Sequence, residues 1–332
     1  MDIRLQGTFR LLSPLSHIGE SISATSYLVQ EPVIQPGGGV EQVFVYSGNA
    51  WRGQLRDLAA EYMLDALGGP RLPLDTFHML FAGGRIGGEQ STNIEQARRM
   101  RRAIPLMAVW GGGVGNQILP GKLRVRNAYP LVEEALPVLP RRHHEAAART
   151  RYADVTFEKS FSRMDDSRDA RVADARLLAA PSAASQGALM APADAPPGKA
   201  AKDPAPEQMR MTVELLAAGT VLATAIDVLD CSEVELGCLV SALHRFGRSP
   251  HIGGQANRGH GLVELEYRLV RLDAAERVAE EFVIVEGDGL PARLGAAASG
   301  AKAAYDAHLE EMYAAYLTEN ASEVRGLLGV AK

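Results

Sequence analysis

Two short segments carry residue types that can hold phosphate. The first is Ser47-Gly48-Asn49-Ala50-Trp51-Arg52-Gly53-Gln54-Leu55-Arg56. Its small and polar residues open a helix, where the first backbone N–H groups lack intrahelical partners and can hold an anion. Arg52 and Arg56, four apart, fall on one helical face and would extend that track. The second is Ile252-Gly253-Gly254-Gln255-Ala256-Asn257-Arg258-Gly259-His260-Gly261. Paired glycines let a ligand approach the backbone, and successive N–H groups can form an anion nest. Each has a plainer alternative, a capped surface helix and a tight turn that needs positive φ.

Other chemistries fail on spacing. A P-loop needs four residues between its glycines and a hydroxyl residue after the lysine. Here five residues separate Gly115 from Gly121, and Leu123 follows Lys122. Gly111-Gly112-Gly113-Val114-Gly115 lacks the later glycine and the parallel βαβ setting of a dinucleotide site. His143-His144 is the only adjacent histidine pair, and Cys231 and Cys238 have no CxxC partner, so neither a metal centre nor a cofactor is expected. No serine sits in a nucleophile elbow. Asp165, Asp166 and Asp169 could bind a divalent ion, with a solvated acidic patch as the simpler alternative.

The formal charge of −5 argues against a nucleic-acid partner until it is sorted by position. Residues 95–126 hold Arg98, Arg99, Arg101, Arg102, Lys122, Arg124 and Arg126 against a single acid, Glu95. Residues 242–261 hold Arg245, Arg248 and Arg258 and no acid, whereas the tail from Arg268 carries seven basic and eleven acidic residues. The basic stretches thus coincide with glycine-rich backbone, although solvated helix faces would look the same. No apolar run reaches the roughly 18–20 residues of a membrane span, and the start lacks a signal-like apolar stretch. A cytoplasmic protein with no membrane partner is expected.

These segments need elements to position them. Alternation predicts strands at 3–12, 24–34, 40–46, 210–216, 221–229, 262–272 and 282–285, and a buried strand at 104–110. Residues 24–46 would form a hairpin arm about the turn at 35–39. Helices are predicted from Ser47 or Asn49 to about Leu67, over 74–81, 93–103 and 233–246, and over 301–317. Residues 179–209 hold eleven Ala and six Pro and no aromatic, so they are expected to be a poorly ordered loop. The order strand, helix, strand, insertion, strand, helix, strand is an α+β, ferredoxin-like (RRM-like) split βαβ plan, whose bare sheet face is a common surface for single-stranded RNA. Residues 1–140 and 210–272 would form a discontinuous core. Residues 141–209 would be a thumb-like insertion, and 273–332 a C-terminal strand and helix packed on the core.

Together the segments resemble the RAMP superfamily of CRISPR-associated proteins. Residues 47–56 match its hydroxyl- and glycine-rich turn into "RGxLR", and residues 253–264 its late loop "GGxxxRGxGxVE". Ser13-Pro14-Leu15-Ser16-His17-Ile18-Gly19 is similar to the family's "SPLHIG" strand end with Ser16 inserted, and 233–243 to its second-helix pattern. Trp110-Gly111-Gly112-Gly113, then Gly121-Lys122-Leu123-Arg124-Val125 and Pro130-Leu131-Val132, look most like the backbone subunit of type IV effector complexes.

The resemblance implies a non-catalytic subunit stacked in many copies as a helical filament along one guide RNA (crRNA), with a thumb that kinks the RNA periodically. Its implied RNA-binding residues are Ser47, Asn49, Arg52, Gly53, Arg56, Arg101, Arg102, Gly111, Gly112, Gly113, Gly253, Gly254 and Arg258. Its thumb residues would be Phe157, Lys159, Phe161, Arg163 and Met164, of which Phe157, Phe161 and Met164 could wedge between bases. Implied partners are the crRNA, a complementary target nucleic acid, copies of the chain, and subunits that cap or process the guide, with or without a helicase. The alternative is a RAMP-type endoribonuclease acting on precursor or target RNA, with Asp165, Asp166 or Asp169 as the candidate catalytic group.

Overall fold

A computed structural model describes residues 1–84, 94–114, 117–164, 208–272 and 281–317. The first half contains β1 (Ile3–Leu11), β2 (Ile18–Ile22), β3 (Thr25–Leu28), β4 (Gln30–Ile34), β5 (Val40–Phe44), α1 (Gly48–Ala66), α2 (Leu74–Ala82), α3 (Ile94–Ala103) and α4 (Pro105–Trp110). Next come β6 (Gly112–Val114), β7 (Gln117–Leu119), β8 (Leu123–Val125), β9 (Tyr129–Pro130), α5 (His144–Ala147), α6 (Tyr152–Val155) and β10 (Thr156–Met164). The rest is β11 (Gln208–Leu216), β12 (Val221–Val228), α7 (Glu233–Phe246), β13 (Val263–Arg271), β14 (Glu281–Val285), β15 (Arg293–Leu294) and α8 (Ala296–Leu317).

The central sheet runs β15-β14-β13-β1-β12-β8, with β9 also paired to β12. Its inner four strands, β13-β1-β12-β8, are antiparallel neighbours joined through α1 and α7, which is the expected ferredoxin-like split βαβ plan, with β8 as its second strand in place of residues 104–110. Alternation in β1 explains the two faces. Ile3, Leu5, Phe9 and Leu11 are buried towards the helices, while Arg4, Gln6, Thr8 and Arg10 point the other way.

On the helix side, Phe9, Trp51 and Phe246 meet edge-to-face, and the Trp51 indole N–H donates to the Tyr267 hydroxyl at 3.1 Å. That cluster ties β1, α1, α7 and β13 together with its one polar handle satisfied. Ser232 and Glu235 form a capping box at the start of α7.

Several expectations change. Residues 105–110 form a helix, α4, instead of a strand: a short continuous apolar run has no periodicity to separate the two, and Pro105 fits a first helical turn. The predicted strand 24–34 divides into β3 and β4, which belong to different sheets. The sheet face away from the helices is not bare. Val132, Ala135, Leu139 and Ala147 pack with Val33, Val43 and Ala223 in a second small core over β12. That face carries no aromatic from β1 or β12, and both aromatics of β1 and β13, Phe9 and Tyr267, are buried on the helix side. The base-stacking platform of an RRM is therefore missing from the inner strands.

Within the insertion, β10 and β11 pair antiparallel and β11 continues in parallel onto β3, giving a second sheet β10-β11-β3-β2. Residues 165–207, which include most of the alanine–proline segment and the three aspartates, lie outside the described residues.

Candidate nucleic-acid interface

Three sequence segments converge at one end of the central sheet. The Gly254 N–H donates to the Ser16 carbonyl at 2.7 Å, and the Gly261 N–H to the Pro14 carbonyl at 2.8 Å. The Gln54 side-chain amide donates to the His251 carbonyl at 2.6 Å and accepts from the Tyr46 hydroxyl at 3.3 Å. The His17 ring packs edge-on against Tyr46, 5.0 Å between centroids, and accepts from the Ser47 N–H at 3.5 Å. Burial lowers the His17 pKa, which favours the neutral ring that this acceptor role needs. Segments 13–17, 46–54 and 251–261 are thus one surface. His17 and Gln54 lie inside the motifs quoted from the sequence, and Tyr46 directly before one, but none of the three is among the binding residues the resemblance implies.

The glycines have a different job from the one expected. Gly253 has φ +72°, and a Cβ there would stand 2.4 Å from the Ser16 carbonyl oxygen. It is glycine so that the loop can lie against the end of β1. The Gly254 N–H is spent on Ser16, so it is not a phosphate donor. The Gly111 N–H goes to Met107 and the Gly113 N–H to Gly83, while Gly112 pairs opposite Leu119 in the β6–β7 hairpin. The start of α1 is also largely occupied. Gly48 donates to Asn127 at 2.9 Å, and Asn49 to its cap Ser47 at 3.2 Å.

Arg56 is corrected as well. It is 4% exposed and donates to the carbonyls of Leu80, Met79 and Gly111. Burial and the nearby Arg52 bring its pKa down to about 10, so it stays charged at neutral pH. A cation set against the carbonyl ends of α2 and α4 complements both helix dipoles. Arg52 donates to the Trp110 carbonyl, and the Trp110 indole returns a bond to the Arg52 carbonyl at 3.0 Å. These arginines clamp α1 to its neighbours.

Arg101 and Arg102 lie elsewhere. Arg101 donates to the Pro120 carbonyl, and Arg102 makes an exposed pair with Glu95 at 3.5 Å. With Arg98 and Lys122 they line an open cleft of about 900 Å³ at the N-terminal end of α7, where Lys122 is held by Glu235 at 2.8 Å. The loop 251–261 follows the opposite end of this 14-residue helix, about 20 Å away.

What remains open at the convergent end is a cationic and aromatic strip. The Arg258 guanidinium sits 4.8 Å from the centre of the Phe161 ring, so the glycine loop touches the β10–β11 hairpin. Phe157 and Lys159 share that strand face by alternation and are exposed. Neither Lys159 nor Arg258 makes an ion pair among the described residues. Asn49 is exposed on the adjoining α1, and the site of a Cβ on Gly53 has no atom within 4 Å. Arg163 and Met164 lie at the far end of β10, opposite Met209 and Gln208.

Comparison with solved structures bears on the fold. The fold is shared with a chain from a structure titled "Type IV-B CRISPR Complex". The TM-score is 0.53 at 16% identity, over 84% of this chain and 95% of that one. No protein-family model and no curated protein matches the sequence. Among the described residues, no helix is long and apolar enough to cross a membrane, and no group of three or more His, Cys, Asp or Glu side chains is placed to hold a metal ion.

The outer sheet face completes the charge map. Its charges divide along the strands. Arg4, Arg126 and Asp227 cluster at the start of β1, whereas Arg10, Glu264, Glu266, Glu286 and Asp288 gather towards its end.

Proposed function

We propose that the chain is a non-catalytic, guide-RNA-binding backbone subunit of a type IV CRISPR effector ribonucleoprotein, repeated as a filament along one guide. The observation that carries this reading is the convergence of segments 13–17, 46–54 and 251–261 beside a thumb hairpin, with Arg258 on Phe161 at the junction. Arginine and aromatic groups without carboxylate partners among the described residues suit a single strand, whose phosphates seek cations and whose bases seek flat faces. The fold likeness to a chain of a Type IV-B CRISPR complex supports the same assignment. Base pairing, not the protein, would then read sequence, and the partners would be the guide, a complementary target, further copies and other effector subunits.

Purification tests the reading directly. The protein should carry nuclease-sensitive RNA, seen as elevated ultraviolet absorbance that falls after ribonuclease treatment. A Lys159→Glu/Arg258→Glu variant should fold and lose most of that RNA. Purification free of RNA, together with no affinity for added RNA, sinks the proposal. Incubating the RNA-loaded protein with labelled precursor and target RNA should give no magnesium-dependent cuts. Regularly spaced cuts that vanish in Asp165→Ala/Asp166→Ala would instead establish the endoribonuclease.

A further inference from the structure

The outer face of the central sheet holds more positive charge than its folding requires. Asp227 accepts from Arg4 at 2.5 and 3.1 Å in a two-pronged pair, and this alone would satisfy it. Arg126 nevertheless adds a third bond at 3.2 Å. Arg124 stands opposite Asp227 in the β12–β8 register and is exposed. From the turn before α5, Arg142 reaches across to donate to the Gln6 side chain at 3.0 Å. Arg268, opposite Gln6 on β13, is 76% exposed, and its one ion pair among the described residues is a long contact of 3.5 Å to Glu266. Burial lowers the pKa of Arg142, and the charges of Arg4, Arg126 and Arg268 lower it further. Like charges crowded on one face destabilise the free protein, so their placement calls for an anionic partner.

The floor between these arginines identifies the partner's chemistry. On β1 and β12 it consists of Gln6, Thr8 and Ala225, all small or polar, and the larger apolar residues of this face, Val270, Phe282 and Ile284, sit at its β13–β14 side, Phe282 opposite Arg268. Guanidinium groups on such a floor suit phosphodiesters and carry no sequence information. The position also separates this surface from the loop and thumb. Arg4 lies at the opposite end of β1 from the glycine loop, roughly 20–25 Å away along the strand. The acidic stretch of Glu264, Glu266 and Glu286 lies between.

We propose that Arg4, Arg124, Arg126, Arg142 and Arg268 form a second, sequence-independent nucleic-acid site, which takes the phosphate backbone of a strand other than the one at the loop and thumb. This extends the RNA-binding reading, but its test does not depend on it.

The probe is a fluorescently labelled, mixed-sequence DNA oligonucleotide added to the protein as purified. In an Arg124→Glu/Arg142→Glu/Arg268→Glu variant its affinity should fall at least about tenfold, and the log–log salt slope should drop by about 2, as expected for three lost single-strand phosphate contacts. The co-purified RNA should be unchanged, and lost only from Lys159→Glu/Arg258→Glu. If the triple variant does not fold, Arg124→Gln/Arg268→Gln should weaken the probe in the same direction. Asp227→Asn, which removes the competing carboxylate, should strengthen it. Unchanged probe affinity overturns the proposal. So does parallel loss of co-purified RNA, which would make the face part of the guide track. Reduced assembly size with probe affinity intact also overturns it, because the face would then contact protein. Protein that purifies without RNA and does not bind added RNA would end the guide reading, while the probe would still report on this face.

Discussion

At the scale of single residues, arginine is the type most easily misread from sequence. Arg52 and Arg56 have the i, i+4 spacing of a phosphate track, yet both turn inward onto helix-end carbonyls. Spacing along α1 shows that two side chains share a face, not whether another element covers it. Neither α2 nor α4 announces in sequence where it will dock. Arg258 shows the opposite case, since its loop position left it exposed beside Phe161. The roles can be separated by substitution. Arg56→Ala leaves three carbonyls without their donor and should cost about 3–5 kcal/mol of stability, read as a lowered thermal midpoint. RNA carried per folded molecule should not change. Loss of RNA with unchanged stability would restore Arg56 to the binding surface.

Elements were legible where a pattern had a period. β1, β13, α1 and α7 show clean alternation or helical spacing, and Ser232 with Glu235 marks the start of α7 in sequence. The hairpin arm about Gly38 was equally readable, because the glycine cluster fixes its turn. Residues 105–110 were not, since every position is buried and an element buried all round has no polar face to give a period. The roof over the outer face escaped for a related reason: its helices, α5 and α6, are four residues each, too short to show periodicity. Within α1, Gly53 is an element-level oddity. A glycine in a helix costs about 1 kcal/mol relative to alanine, and no neighbouring atom requires one here. Gly53→Ala should therefore raise the thermal midpoint of the RNA-free protein. If the guide's backbone passes close to this face, the same change should reduce RNA loading. Unaltered loading would remove α1 from the path of the strand.

For the whole molecule, the net charge of −5 conceals an uneven layout. Cations without carboxylate partners among the described residues lie where the glycine loop meets β10, a second basic group occupies one half of the outer sheet face, and acids fill the other half. In a filament, a modest contribution from each copy is multiplied along one strand. Affinity for RNA should accordingly fall linearly on a log–log salt plot, by about 0.7 per phosphate contacted, and guides of unrelated sequence should bind alike. Titrating two such guides at several salt concentrations checks both points, and a strong sequence preference would argue against readout by base pairing alone.

The stapling of the glycine loop to the end of β1 has a kinetic meaning. Gly254 is bound to Ser16, Gly261 to Pro14 and His251 to Gln54, so the chain's own hydrogen bonds hold the loop in place. The loop therefore has no conformational search left to make when a strand arrives, and little ordering entropy remains to be lost. Under the proposed function, each copy would meet the guide as a finished mould. Growth along the strand would then be set by diffusional encounter and by the fit between neighbouring copies, and the loop amides should resist hydrogen exchange as well before loading as after it.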